Sequence, residues 1–227
     1  YKRFRERFEA PIVQDADEQA RQNLHLMVAP FILRRMKKDV LDDLPDKIET
    51  VMTSEMTPGQ AKVYHAYAEK LMRDAESELA DPQGRMRLLA GLTRLRQLCC
   101  DPRLCLEEYA AGSGKLDQLI ELAGGLAAQG RRMLIFSQFT SMLALLEDAL
   151  HEAGFETLKL TGETDKAKRM ALVEQFNSGD IPVFLISLKA GGTGLNLTGA
   201  DVVIHYDPWW NTAARNQATD RAYRIGQ

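Results

Sequence analysis

Near the end of the sequence, Gln217, Arg221 and Arg224 stand at i, i+4 and i+7, a spacing that places them on one face of a helix. Asp220 precedes Arg221 and can orient its guanidinium. Two planar guanidinium forks on one face suit phosphate oxygens, because each offers paired N–H donors and a permanent charge. A solvated charged face has the same spacing, so this pattern alone does not decide. Further upstream, residues 188–201 read LKAGGTGLNLTGAD. There Gly191, Gly192 and Gly194 allow a backbone to approach a partner closely with its N–H groups turned outward. A tight structural turn uses glycines in the same way. Thr161-Gly162-Glu163-Thr164 falls at an expected helix start, where free N–H groups attract anions and where simple capping is the plainer account.

Two other patterns mimic nucleotide chemistry. Ala111-Gly112-Ser113-Gly114-Lys115 resembles the end of a phosphate-binding loop, but Tyr109 stands where the first glycine belongs and Leu116 where a Ser or Thr would hold magnesium. A loop leading into the helix KLDQLIELAGGLAAQG accounts for it better. Asp17-Glu18 looks like a magnesium-binding acidic pair, yet no sustained apolar strand delivers it, and an acidic helix start is the better reading. Cys99, Cys100 and Cys105 have no histidine at zinc-ligand spacing. Their odd number argues against a disulfide framework and for reduced, buried thiols in a reducing compartment.

These residues need a scaffold, and the chain supplies two kinds. The second half alternates apolar runs at 133–139, 155–160, 182–187 and 201–207 with helices at 140–153 and 164–178 and from about Asn211. This alternation predicts a parallel sheet covered on both faces, with ligands beyond the carboxyl ends of its strands. The first half predicts helices. One covers 58–79, with Thr57 as N-cap, Pro58 at the first position and Val63, Tyr67, Leu71 and Ala75 on one face. A second covers 84–100, with Met86, Leu89, Leu92, Leu95 and Leu98 as its core stripe; Asp81-Pro82 and Asp101-Pro102 end the two. A single strand is predicted between Ile48 and Met56.

The 227 residues are 45% apolar and 27% charged with net charge −3, an ordinary globular balance, so any nucleic-acid partner must be met by a local patch. No apolar run approaches a membrane span, and the first residues lack the pattern of a signal peptide.

The ordered set FILRRMKKDVLDDLPDKIE (31–49), LRQLCCDPRL (95–104), LIFSQFTSML (134–143), ISLKAGGTGLNLTGADVVIHYDPWWN (186–211) and QATDRAYRIGQ (217–227) resembles the second half of the motor of SWI/SNF-family ATPases. These are the chromatin-remodelling and bacterial relatives within helicase superfamily 2. The resemblance covers essentially the whole chain, and the DPWW variant is similar to bacterial and postreplication-repair-type members.

The resemblance implies a RecA-like parallel sheet flanked by helices, with a helical protrusion inserted before it. Residues 1–49 would be a linker with the end of the first lobe and the start of the second, residues 50–110 the protrusion with one leading strand, and residues 111–227 the second RecA-like lobe. It also implies ATP and Mg2+ bound mainly by a first lobe, with Walker A and B residues that this chain lacks. Double-stranded DNA and that first lobe would be the partners, with a protein target reached through other domains and no membrane, in a monomer located in the cytoplasm (nucleoid) if bacterial and the nucleus if eukaryotic. Arg221 and Arg224 would face the ATP phosphates, and Gln217, Gly192, Gly194 and Asn196 would line the nucleotide side. Ser137, Gln138, Gly162, Thr164, Lys189, Gly191, Thr193 and Trp210 would face DNA. Tyr223 and Thr212 stand where the family commonly has His and Pro. Arg34, Arg35, Lys37 and Lys38 lie close to Asp39, Asp42 and Asp43, so they fit a salt-bridged helix end as well as a DNA patch. A docking module that kept the fold without catalysis, and an RNA helicase lobe, are the competing readings.

Overall fold

In the computed structural model of the chain, the apolar runs of the second half become β1 (Met133–Ser137), β2 (Thr157–Leu160), β3 (Val183–Ser187) and β4 (Val202–His205). The structure describes residues 1–32, 48–79, 82–191, 195–207, 209 and 211–219. The strands form one four-stranded sheet in the order β2-β3-β1-β4, with every pair parallel. Along β1 the side chains alternate between two buried faces. Met133 and Ile135 pack with Leu116, Leu119, Met142 and Leu146, while Leu134 and Phe136 pack with Leu160, Phe176, Ile186 and Leu197. Burial on both faces is why β1 and β3 read as unbroken apolar runs, whereas β2 alternates half-buried and buried residues.

The covering helices fall where the periodicity predicts them. They are Gly114–Ala128, Thr140–Glu152, Lys166–Ser178 and Thr212–Thr219, with a short helix Leu188–Gly191 directly after β3. Gly154, at φ +86°, takes the left-handed turn that follows the second of them. Asp165 caps the third by accepting from the Lys168 N–H at 2.9 Å.

The helical pair of the first half is Pro58–Leu79 and Pro82–Cys100. Thr57 caps the first helix through Oγ1, which accepts from the Gln60 N–H at 3.2 Å. Val63, Tyr67, Leu71 and Ala75 are all half-buried, as their four-residue spacing predicts. The core stripe assigned to the second helix is not one. Met86, Leu89 and Leu92 are 68%, 46% and 51% exposed, and only Leu98 is sealed at 2%. Residues three apart step back by about 60° around a helix, so five of them wind most of the way round it. The buried face is instead Gly84, Gly91 and Leu98, seven residues apart. A Cβ on Gly91 would lie 2.4 Å from Leu71 Cδ1, so the two helices approach on a glycine.

The strand expected between Ile48 and Met56 does not form. This stretch joins no ladder and is mostly exposed, and it runs across the start of helix Gly114–Ala128. There Thr53 O accepts from Gln118 Nε2 at 3.2 Å, and Glu55 O would sit 1.9 Å from any Cβ on Gly114. The segment's place is set by that close backbone approach and not by a ladder partner.

The chain divides into two compact units, Tyr1–Ile48 and Glu49–Gln227. In the first, a helix over residues 2–14 contains a π-helical turn at Arg5–Glu9 and is followed by helix Glu18–Val28. Asp17 caps the latter by accepting from the N–H groups of Gln19 and Ala20, so the acidic pair at 17–18 begins a helix as expected. The basic cluster at Arg34–Lys38, its neighbours Asp39, Asp42 and Asp43, and Asp81 lie outside the described residues. No described helix is long and apolar enough to cross a membrane.

Candidate nucleotide and nucleic-acid edge

Parallel pairing puts all four strand ends on one edge, and the register makes them level. Ser137 pairs with Ser187, Leu160 with Ile186, and Phe136 with His205. Ser137, Ser187, Thr161 and Tyr206 therefore stand in one row, with neighbouring strands about 4.8 Å apart. The loops that carry the candidate residues all leave from this row.

The row is held by buried polar groups. Ser137 Oγ accepts from the Phe139 N–H at 3.1 Å, and Ser187 Oγ accepts from the Ala190 N–H at 3.3 Å. Each serine thus turns the chain out of its strand. The Asp207 carboxylate accepts from the Gln138 N–H at 3.0 and 3.3 Å, which joins the loop after β4 to the loop after β1. Burial raises the pKa of Asp207, against the opposing pull of Ser137, the Gln138 N–H, Arg96 and Lys115. After β2, Thr164 Oγ1 accepts from the Thr161 N–H at 3.1 Å, and Arg169 Nη2 donates to Thr164 O at 3.3 Å.

Among the expected DNA contacts, Gln138, Gly162, Thr164 and Lys189 share this edge, and Lys189 is exposed on the short helix after β3. Space is open around Gly162: a Cβ there would meet nothing within 4 Å. Ser137 is fully buried and its hydroxyl is engaged with Phe139, so its side chain shapes the loop and presents nothing to a ligand. Gly191 ends the short helix. Among the residues expected to line the nucleotide side, Gln217 is exposed on helix Thr212–Thr219, which packs against Leu188–Gly191 and is tied to β4 where His205 Nε2 meets Thr219 Oγ1 at 2.9 Å. Asn196 is exposed, and its carbonyl accepts from Asn177 Nδ2 at 2.9 Å. It borders an open hollow of about 810 Å3 whose other walls include Lys166, Arg169 and Glu174. Gly192, Thr193, Gly194, Trp210, Asp220, Arg221 and Arg224 lie outside the described residues.

The structure adds residues that the sequence did not single out. Three buried donors meet the last carbonyls of helix Pro82–Cys100. Gln60 Nε2 bonds Leu98 O at 2.8 Å, Ser113 Oγ bonds Cys100 O at 2.7 Å and Tyr206 Oη bonds the same oxygen at 3.0 Å. Burial raises the Tyr206 pKa, which keeps its hydroxyl a donor. It also pushes the Cys100 thiol up to about 12, in keeping with a reduced, inert cysteine. One turn before Cys100, Arg96 Nη1 donates to Gln138 Oε1 at 3.2 Å. A lone acid directly after the apolar run VVIHY was the available signal for Asp207; nothing local marks Arg96 or Gln60.

The profile of the SNF2-related domain matches residues 1–104, and that of the helicase conserved C-terminal domain matches residues 114–226. The Bacillus subtilis protein YwqA is 41% identical over 235 residues, covering 99% of this chain and 25% of its own length. The chain thus spans about a quarter of that relative. The Sulfolobus solfataricus SWI2/SNF2 ATPase core in complex with dsDNA superposes with TM-score 0.69 at 35% identity, over 100% of this chain and 48% of that one. The C-terminal domain of the same organism's SWI2/SNF2 ATPase superposes with TM-score 0.67 at 33% identity, over 74% of this chain and 75% of that one. The parallel sheet with its flanking helices is the RecA-like fold of such cores, and the chain belongs to the SWI2/SNF2 ATPase family.

Proposed function

We propose that the chain is the second motor lobe of an ATP-driven translocase on double-stranded DNA. The supporting observation is the level row of strand ends, from which the loops of Gln138, Gly162, Thr164 and Lys189 all leave on one edge. A fold this similar carries duplex DNA in the Sulfolobus solfataricus core. In this reading residues 50–110 form the protrusion, residues 111–227 form the lobe, and residues 1–49 link it to a first lobe that presents ATP. ATP binding draws the lobes together and hydrolysis releases them, so each cycle advances the DNA phosphates past the edge.

The loop side chains and Trp210 meet the backbone of the duplex. Such contacts are sequence-independent and weaken steeply with salt. Gln217, Gly192, Gly194 and Asn196 line the side that closes on the nucleotide. Arg221 and Arg224 insert their guanidinium groups where negative charge spreads over the γ-phosphoryl oxygens in the transition state. No group of three or more His, Cys, Asp or Glu side chains able to hold a metal occurs among the described residues. In this reading ATP and Mg2+ are bound mainly by the first lobe.

The test is ATP hydrolysis by the full-length protein with double- and single-stranded DNA, compared with Arg221→Ala and Arg224→Ala. Duplex DNA should stimulate more strongly. Each substitution should cost about 10³–10⁵-fold in stimulated rate, or about 4–7 kcal/mol of transition-state stabilisation. Lysine should rescue poorly, being a point charge without the planar fork. Turnover in Arg224→Ala above about a tenth of wild type would make that helix face merely solvated, far from the loss such a finger implies. A wild-type protein with no ATP hydrolysis would favour a docking role. The 227-residue chain alone should hydrolyse no ATP.

A further inference from the structure

We propose that Arg96 is a positioning residue that fixes the loops after β1 and β4 to the helical pair, and through them the side chains that meet DNA. This rests on the translocase reading above. Three side chains on two loops converge on its guanidinium. Nη1 donates to Gln138 Oε1 at 3.2 Å, and the guanidinium carbon lies 5.3 Å from the Trp209 ring centroid and 6.0 Å from that of Phe139. Gln138 and Phe139 leave β1, whereas Trp209 follows β4 and directly precedes Trp210. The same two loops are joined underneath by the Gln138 N–H on the Asp207 carboxylate.

The platform from which Arg96 reaches is itself fixed. Its helix ends one turn later, where Gln60, Ser113 and Tyr206 hold the carbonyls of Leu98 and Cys100. Arg96 is half-buried, so its charge is partly withdrawn from water and its contacts count for more than exposed ones. The contact set also selects arginine. A flat, weakly hydrated cation can lie against aromatic rings while an N–H at its edge meets an amide oxygen, and an ammonium does this poorly. With Arg96 removed, the Gln138 amide loses the partner that orients it and Trp209 loses the group against its ring. The bond from the Gln138 N–H to Asp207 still joins the two loops, but it holds the backbone of Gln138 and not its amide side chain.

The experiment is a titration of ATP hydrolysis with duplex DNA in the full-length protein, for Arg96→Ala, Arg96→Lys, Gln138→Ala and the Arg96→Ala/Gln138→Ala pair. Arg96→Ala should raise the DNA concentration for half-maximal stimulation about tenfold, the size expected for a partly buried cation–π contact and a charged hydrogen bond. Arg96→Lys should stay closer to Arg96→Ala than to wild type. The double variant should bind DNA little worse than the weaker single variant, because both changes remove one shared contact. Full rescue by lysine, additive losses, or an unchanged half-saturation beside a lowered melting temperature would each make Arg96 merely structural. If duplex DNA fails to stimulate the wild type, the translocase reading falls and takes this inference with it. If the wild type is stimulated and the Arg96 variants match it, this inference alone falls.

Discussion

The sheet edge and the base of the helical pair are both fastened by buried polar groups, but over different spans of sequence. At the edge, Ser137 and Ser187 hold N–H groups two and three residues ahead, and Asp207 adds one longer tie, 69 residues back to the Gln138 N–H. At the base, Gln60, Ser113 and Tyr206 reach 38, 13 and 106 residues along the chain to helix-end carbonyls. The edge caps a sheet whose strands β1 and β3 are buried along their whole length. The helical pair meets on Gly84, Gly91 and Leu98 and leaves Met72, Met86 and Leu92 exposed. Apolar burial therefore supports the sheet and its edge, whereas a few long-range hydrogen bonds set where the helical pair stands.

The largest effect should come from the sheet. Phe136 is fully buried, packs in the core with Leu160, Phe176 and Ile186, and stacks on His205 at 5.6 Å. Phe136→Ala should cost about 3–5 kcal/mol and lower the denaturant midpoint of the whole Glu49–Gln227 unit. A loss under about 1 kcal/mol would mean that the sheet is not the dominant support.

A smaller and more local effect should come from the base. Gln60 is 1% exposed and also accepts from the Gly114 N–H at 3.3 Å, so Gln60→Ala strands a carbonyl and an amide at once. Unsatisfied buried groups of this kind cost about 1–3 kcal/mol. Amide hydrogen exchange should quicken through 58–100 while β1 and β3 stay protected. Equal loss of protection in the strands would erase the distinction between the two regions.

What was legible in the sequence follows the same division. Strands β1 and β3 were readable because burial on both faces leaves continuous apolar runs, and helix Pro58–Leu79 because its cap and four-residue period are local signals. The second helix was placed correctly but its packing face was misread, because that face is marked by Gly91, a residue that signals close approach only when the partner helix is known. The strand expected at 48–56 failed for a similar reason, since weak alternation carries no information about whether a ladder partner exists. At the edge, glycine and arginine patterns named the loops. Burial assigned Ser137 to the scaffold, and geometry brought in Asp207 and Arg96, whose partners are remote in sequence.

The smallest effect should be a pH dependence at Asp207, where the edge departs from purely apolar support. Burial raises its pKa more than Ser137, the Gln138 N–H, Arg96 and Lys115 lower it, so the folded state favours the protonated acid relative to the unfolded chain. The native state then binds more protons between the ordinary carboxylate pKa and the raised one, and the stability this group contributes declines as pH rises through that window. Above the raised pKa the decline stops, because the acid is ionised in both states. Asp207→Asn keeps an acceptor for the Gln138 N–H and cannot titrate. Its stability relative to wild type should therefore be lowest at acid pH, climb through the window and level off above it. Urea unfolding of both proteins from pH 4 to pH 7.5 measures the difference directly and cancels the other carboxylates. A difference that fell with rising pH would mean that Arg96 and Lys115 outweigh burial, making the joint between the two loops an ion-paired latch instead of a buried, reluctant carboxylate.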